Sequence, residues 1–193
     1  LEVLTDPSYA GQAVCMTYPL IGNYGVCFED MEANKSWQSG FITREVAKLP
    51  SNFRNQEALE DFLISNHITG IEGVDTRAIT KILREKGTMR GMITTDENYN
   101  LDAVISKVKE FEIGDVVAMT TCKEIEHFKP ENGTCRFKVA VIDLGAKKNI
   151  IRELVNRNCD VTVYPSYTKA EDILETHPDG IMLTNGPGDP KTN

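Results

Sequence analysis

The feature that most constrains the fold is an alternation of short apolar runs with amphipathic segments toward the end of the chain. Apolar runs at 138–143, 159–164 and 181–183 are nearly continuous, as in strands that are covered on both faces. The first segment between them places four apolar residues at helical spacing: Ile150, Ile151, Leu154 and Val155. This order of strand, helix, strand, helix and strand predicts a parallel sheet with right-handed crossovers.

The part before residue 124 mixes short strand-like runs with amphipathic helices. Strands are predicted at 12–18, at 40–43 and at 89–94. Helices are predicted to start near Asn55, at Asp75 or Thr76, and near Asn100, because Asn and Asp are favoured N-cap residues. Gly87 suits the end of the second helix. The apolar residues expected to face inward from these helices are Leu59, Phe62, Leu63, Ile79, Ile82, Leu83, Leu101, Val104, Ile105 and Val108.

Residues 124–136 are polar, contain Pro130 and Gly133, and lack periodicity, so we interpret them as an interdomain linker. The predicted organisation is a small mixed α+β domain over 1–123, this linker, and an α/β domain over 137–193. The chain starts at Leu1 without an initiator Met and stops soon after a loop of ligand-binding type. We therefore expect it to be a piece of a longer protein.

Charge and cysteine content exclude several classes of function. The formal net charge of −8 and the pI of about 5.0 argue against nucleic acid and anionic membranes as partners. No run of about 18 apolar residues is present, so no membrane span is expected. The scattered cysteines form no C-x-x-C pair, which indicates reduced thiols in a cytosolic protein rather than a zinc site: Cys15, Cys27, Cys122, Cys135 and Cys159.

The strongest candidate for a binding loop is 184–190, which follows the third apolar run. Its Asn, Gly and Pro residues are typical of tight turns, and glycine lets a bare main chain approach a ligand. Open α/β sheets bind ligands at the carboxyl ends of their strands. The alternative is a structural connection without a ligand. The loop matches neither the dinucleotide-binding fingerprint nor the P-loop.

Three other segments have a functional and a structural interpretation. Residues 145–149 open a helix with two lysines and could hold an anion, but a solvated helix start is the simpler interpretation. Ser8 lies in a turn after Asp6 and Pro7, where its hydroxyl either caps the turn or touches a ligand. The basic residues of 73–77 and 84–91 could bind phosphate, although a helix capped by Asp75 explains most of this pattern.

No catalytic nucleophile is evident in the sequence. Neither G-x-C-x-G nor G-x-S-x-G occurs, so the nucleophile elbow of hydrolases is missing. Cys159 opens a predicted strand, which suits core packing. We expect none of the three histidines to be catalytic: His67, His127 and His177.

Several separated motifs together resemble one family, the small, glutamine-hydrolysing subunit of carbamoyl phosphate synthetase. They occur in the family's order and cover essentially the whole chain, at 5–12, 17–25, 51–54, 75–77, 83–87 and 183–190. The last motif alone indicates only the wider class I glutamine amidotransferases, and the first two narrow the resemblance to this subunit. The resemblance implies a mixed N-terminal domain followed by the first βαβαβ part of a flavodoxin-like amidotransferase domain.

The resemblance also implies a chemistry. Glutamine is hydrolysed through a thioester, and the ammonia passes to a large synthetase subunit that uses bicarbonate and ATP with Mg. The small subunit itself has no cofactor. Carried over to this sequence, the glutamine-binding residues are Ser8, Gly186 and Gly188, with Ser8 reaching across from the first domain. The catalytic Cys, His and Glu of the family would lie beyond Asn193.

The function expected from this resemblance is a cytoplasmic glutamine amidotransferase subunit serving pyrimidine and arginine biosynthesis. The expected partners are L-glutamine and the large subunit, with the isolated chain inactive. The competing interpretation is a noncatalytic docking or binding module of a synthetase complex. The residue at the missing elbow separates the two, since a cysteine there supports the enzyme.

Overall fold

The computed structural model describes residues 1–131 and 133–192, with the main chain alone for Thr192. The described residues form a mixed α/β structure with two sheets, and they divide into two compact units. The first unit comprises Leu1, Gly11–Asp30 and Gln38–Gly114. The second comprises Glu2–Ala10, Met31–Trp37 and the chain from Asp115 onward. The domain boundaries predicted at 123 and 137 stay a prediction.

The first unit is built on a small parallel sheet. Its strands are β1 (Ala13–Cys15), β2 (Gly40–Ile42) and β3 (Thr69–Ile71), in that order across the sheet. Gly40 pairs with Ala13 on one side and with Thr69 on the other. Parallel neighbours need long connections, and here they are loops and the helix α2 (Leu59–Ser65). β1 and β2 were predicted, whereas β3 was missed and the strand predicted at 89–94 is not formed.

The helices of the first unit are α2, α3 (Thr76–Lys86) and α4 (Leu101–Glu110). Asp75 and Asn100 cap α3 and α4 as predicted, each by accepting a main-chain N–H three residues later. Gly87 ends α3 with φ of +80°. The start predicted at Asn55 is wrong, because Asn55 lies in a turn and α2 begins at Leu59.

Burial of these helices follows the prediction only for α2, whose Leu59, Phe62 and Leu63 are all buried. On α4 the expected inward face is wrong for Leu101 and Ile105, which are 60% and 40% exposed, whereas Val104 and Val108 are half-buried. The periodicity of α4 identifies an apolar face correctly but does not identify what covers it.

The second unit contains the predicted βαβαβ arrangement. Its elements are β5 (Phe137–Asp143), α6 (Lys148–Asn156), β6 (Cys159–Pro165), α7 (Ala170–Leu174) and β7 (Gly180–Leu183). β5 lies between β6 and β7 and runs parallel to both. Asn158 follows the end of α6 with φ of +62°. α7 starts after Lys169 without a side-chain cap.

Three further elements of the second unit were not predicted: α1 (Glu2–Thr5), α5 (Val116–Thr120) and β4 (Glu126–Phe128). β4 lies within the segment interpreted as a linker and pairs antiparallel with β6, which places it at the edge of the sheet. The sheet order is therefore β4-β6-β5-β7.

Both faces of this second sheet are covered at β5 and β6, as their continuous apolar runs predict, whereas Ile181 and Leu183 of β7 are 45% and 66% exposed, so the burial expected of the third run is wrong. On one face Val141, Val161 and Val163 pack with Ile151 of α6 and with Cys159. On the other face Ala140 and Tyr164 pack with Ile173 of α7. Across residues 1–131 and 133–192, no helix is both long enough and apolar enough to cross a bilayer.

Candidate functional site

The candidate site lies in the second unit, at the carboxyl ends of β5 and β7. These strands are parallel neighbours, and Ile142 pairs with Leu183 at their ends. The turn after β5 and the loop after β7 therefore emerge side by side. This is the edge at which open α/β sheets bind ligands.

Asp143, the last residue of β5, fixes the turn that follows it. Its Oδ1 accepts the main-chain N–H groups of Gly145 at 2.9 Å and Ala146 at 2.7 Å. Its Oδ2 accepts the N–H of Cys122 at 2.6 Å, and its carbonyl accepts the Thr121 hydroxyl at 2.7 Å. Asp143 is only 7% exposed. Three N–H donors compensate for the burial of its carboxylate and hold the turn rigidly.

The Cys122 thiol beside this turn is not a nucleophile. Burial, followed by the negative charge of Asp143, raises the pKa of Cys122 to about 12. The thiol therefore stays protonated at neutral pH, whereas nucleophilic cysteines act as thiolates. Cys159 is 7% exposed within the core, as expected.

The loop after β7 is tied to the turn after β5. The hydroxyl of Thr184 accepts the N–H of Leu144 at 3.0 Å and donates to the carbonyl of Asn185 at 2.8 Å. Gly186 passes so close to this turn that an added Cβ would lie 2.0 Å from the Leu144 carbonyl oxygen. Only glycine permits that approach.

The three glycines of the site are required for different reasons. Gly145 and Gly188 have φ of +116° and +86°, in the region that favours glycine. Gly186 lies outside that region. Its requirement comes from close contact with the main chain of Leu144.

Ser8 sits in a 3-10 turn, Pro7–Tyr9, that packs within the same unit. Asp6 caps this turn, and its Oδ1 accepts the N–H of Ser8 at 2.9 Å. The hydroxyl oxygen of Ser8 accepts a hydrogen bond from Asn185 Nδ2 at 2.9 Å. Ser8 therefore contacts the 184–190 loop. Glu2–Ala10 packs as part of the second unit, and the expectation that Ser8 reaches across from a first domain over 1–123 stays a prediction, as do those domain bounds.

Asp6 also receives a charge partner from the turn after β5. Lys147 Nζ lies 3.0 Å from Asp6 Oδ2 and 2.7 Å from Glu2 Oε1. These carboxylates, first Glu2 and then Asp6, raise the pKa of Lys147 above its ordinary value. Asp6 is 6% exposed, so this cation compensates for a buried negative charge.

The start of α6 does not form an open anion site. Glu32 accepts the N–H of Lys148 through its carbonyl at 2.8 Å and the N–H of Asn149 through Oε2 at 3.0 Å. The chain thus supplies its own carboxylate at this helix terminus, where a negative charge is favourable. The structure is closer to the interpretation without an anion than to an anion site. The helix start is not solvated, however, because Glu32 caps it.

The phosphate site considered in the first unit also has a structural explanation. Asp75 Oδ1 accepts the N–H of Ala78 at 3.0 Å and caps α3.

His127 Nδ1 lies 3.1 Å from the Thr162 hydroxyl, and no catalytic partner contacts it among the bonds of the described residues. In the part of the chain that the structure describes, no cluster of His, Cys, Asp and Glu is arranged to hold a metal ion.

The structure thus brings Ser8 next to the loop that carries Gly186 and Gly188. Their role as glutamine ligands stays a prediction. Sequence reasoning missed Asp6, Asp143, Thr184 and Asn185 as the residues that assemble the site. One signal was present: a charged residue that closes an apolar strand run, as Asp143 does, marks the ligand-binding edge of a sheet.

Comparison with known proteins agrees with the motifs. Residues 1–93 match the family described as carbamoyl-phosphate synthase small chain, CPSase domain, and residues 140–193 match glutamine amidotransferase class-I. The carbamoyl phosphate synthase small chain of Clostridium perfringens is 50% identical over 98% of this chain and 53% of the relative. Those of Syntrophotalea carbinolica and Listeria monocytogenes are 43% and 44% identical over 98% of this chain.

The match covers 54% of the Syntrophotalea relative and 51% of the Listeria relative. The chain therefore spans about half the length of the curated relatives it matches. The family predicted from the separated motifs is confirmed over nearly the whole chain.

Proposed function

We propose, since this chain belongs to the carbamoyl phosphate synthase small-chain family, that the full-length protein containing it hydrolyses glutamine and supplies ammonia for carbamoyl phosphate synthesis. The observation that carries the proposal is the meeting of Ser8 with the 184–190 loop at the carboxyl edge of the second sheet. Those are the residues that the family resemblance assigns to glutamine.

The chemistry of the loop supports this role. Hydrolysis of an amide develops a negative charge on the carbonyl oxygen, and main-chain N–H groups fixed in advance stabilise it. Gly186 would supply such a donor, because contact with Leu144 leaves its main chain little freedom to move. Gly188, with its positive φ, would let the main chain approach the amino-acid part of glutamine. Ser8 would add a hydroxyl from the neighbouring turn.

The nucleophile would come from outside these residues. Cys122 stays protonated because of its raised pKa, and Cys159 is enclosed in the core, so neither suits thioester formation. The catalytic Cys, His and Glu would therefore lie beyond Asn193. The partner would be a large synthetase subunit, which would bind ATP and Mg, while the small subunit would need no cofactor. The product would serve pyrimidine and arginine biosynthesis in the cytoplasm.

A crystal structure of the full-length protein with glutamine tests the proposal. We expect the ligand to contact the Ser8 hydroxyl and the main-chain N–H groups of Gly186 and Gly188. A cysteine is expected at the elbow, within reach of the ligand amide carbon. Glutamine bound elsewhere, with those N–H groups bonded to protein, would contradict the site. An elbow without cysteine would instead support the noncatalytic docking module.

A further inference from the structure

Asn185 connects three separate segments at the candidate site. Its Nδ2 donates to the Ser8 hydroxyl oxygen at 2.9 Å and to the carbonyl oxygen of Gly145 at 3.3 Å. The residue itself begins the 184–190 loop, directly before Gly186. A single side-chain amide thus contacts the Ser8 turn and the turn after β5 from the loop that follows β7.

The geometry fixes which end of the amide faces these partners. A carbonyl oxygen such as that of Gly145 can only accept, so the atom facing it must be the NH₂ group. The Oδ1 atom of Asn185 is buried and has no hydrogen-bond partner among the described residues. Both hydrogen bonds that hold the Asn185 amide are therefore made by its NH₂ group. An acceptor in place of Nδ2 would face the Gly145 carbonyl unfavourably.

The hydrogen bond from Asn185 Nδ2 to the Ser8 oxygen also determines how the Ser8 hydroxyl is oriented. A hydroxyl has one proton to donate, and its oxygen accepts through lone pairs. Since Asn185 occupies a lone pair of the Ser8 oxygen, the O–H bond points away from the amide. The neighbouring N–H of Ser8 is held by Asp6, so both the main chain and the side chain of Ser8 are fixed.

We propose that Asn185 is a positioning residue, which fixes the Ser8 hydroxyl relative to the glycine loop and thereby sets the affinity for the substrate amino acid. This inference rests on the proposed function, because it assigns Asn185 a role through Ser8 in binding glutamine. Asn185 itself does not have to touch the ligand. The amide nitrogen is essential, since no other nearly isosteric side chain donates in both directions from this position.

Glutamine kinetics of the full-length protein test this role through a double-mutant cycle of Asn185→Asp and Ser8→Ala. Asp keeps the size of the side chain but replaces the donor by an acceptor. We expect each single variant to raise KM for glutamine about 3- to 10-fold with a smaller change in kcat, the range typical for one neutral hydrogen bond. The double variant should be no more than about twofold worse than the poorer single variant.

Asn98→Asp is the matched control. Asn98 is exposed and lies in the first unit, so this substitution makes the same amide-to-carboxylate change far from the site in sequence. It should leave KM unchanged. A double variant whose rise in KM equals the product of the two single rises would overturn the inference. Wild-type kinetics of Asn185→Asp would overturn it as well.

A crystal structure of the Asn185→Ala variant gives a second readout that does not depend on glutamine. The Ser8 side chain is expected to rotate, or its turn to shift, once the donor is removed. A Ser8 hydroxyl in its wild-type position would overturn the inference. If Ser8→Ala alone leaves KM unchanged while Ser8 moves in Asn185→Ala, the link between the two residues stands and the proposed glutamine site fails.

Discussion

At the scale of single residues, the site is assembled by short-range polar contacts around two turns. Asp143 accepts two N–H groups of one turn and a third from Cys122, and Thr184 joins that turn to the loop after β7. Asp6 and Asn185 then fix Ser8 against the same loop. Most of these side chains are buried or half-buried, so losing one partner leaves another polar group unsatisfied at a cost of about 1–3 kcal/mol.

The close approach of Gly186 to Leu144 yields a prediction for substitution by alanine. A Cβ would lie 2.0 Å from the Leu144 carbonyl oxygen, so the loop must move. We expect Gly186→Ala to lower kcat/KM for glutamine in the full-length protein by about 100-fold, the typical cost of losing one oxyanion donor. Gly180→Ala, where an added Cβ meets nothing within 4 Å, is the control. Equal kinetics of the two variants would contradict the role of Gly186.

The protonation of Cys122 yields a prediction for alkylation. With its pKa raised to about 12, Cys122 presents almost no thiolate at pH 8. Iodoacetamide should label the exposed Cys135 much faster than Cys122, as followed by mass spectrometry of the folded protein. The rate at Cys122 should rise as the pH increases toward 12. Rapid labelling of Cys122 at neutral pH would show that its thiol is activated.

At the scale of elements, the second sheet is stabilised by helices on both faces. α7 is only five residues long, and it contributes Ile173 to the core at 1% exposure while the adjacent Leu174 is 56% exposed. Short helices gain most of their stability from such packing rather than from intrinsic propensity. Comparing Ile173 with Leu174 therefore separates the contribution of burial to stability from the contribution of helix formation.

This contrast predicts different costs for two neighbouring substitutions. Ile173→Ala should lower the free energy of unfolding by about 2–5 kcal/mol, because it removes buried methyl groups and leaves a cavity. Leu174→Ala should change it by roughly 0.5 kcal/mol or less, as is usual for exposed positions. Urea denaturation of both variants measures the difference. Similar costs for the two would mean that α7 does not pack as described.

At the scale of the whole molecule, the described residues bring Ser8 next to the glycine loop at one sheet edge, and the two cysteines of the second sheet and its neighbouring turn, Cys122 and Cys159, are protonated or enclosed. Ser8 and the glycine loop would bind the substrate, whereas Cys122 and Cys159 are unsuited to attack it. The presence of binding residues beside cysteines unsuited to attack agrees with a chain that spans about half the length of the curated relatives it matches.

The purified chain of 193 residues should therefore release no ammonia from glutamine. The physical reason is that positioning and an oxyanion donor cannot replace the missing nucleophile for a stable amide. A coupled ammonia assay against a blank without protein measures this, with the full-length protein as the positive control. Ammonia release above the blank would require a nucleophile within these residues.

Local patterns in the sequence predicted much of the fold. The βαβαβ order, the caps at Asp75 and Asn100 and the end of α3 at Gly87 follow from residues close together in the chain. Less was predicted in the first unit, where the residues 89–94 form no strand and β3 was missed. Short strands depend on what pairs with them, which local propensity does not specify.

The sequence by itself determined the alternating strands and helices of the second unit, the family, and the candidates Ser8, Gly186 and Gly188. Only the tertiary structure decided that Ser8 contacts Asn185, 177 residues away in the chain, and that Gly186 is required by the Leu144 carbonyl. It also decided that β4 joins the sheet and that Leu101 and Ile105 of α4 are left exposed. Periodicity and capping act over a few residues, whereas these contacts depend on how distant segments pack.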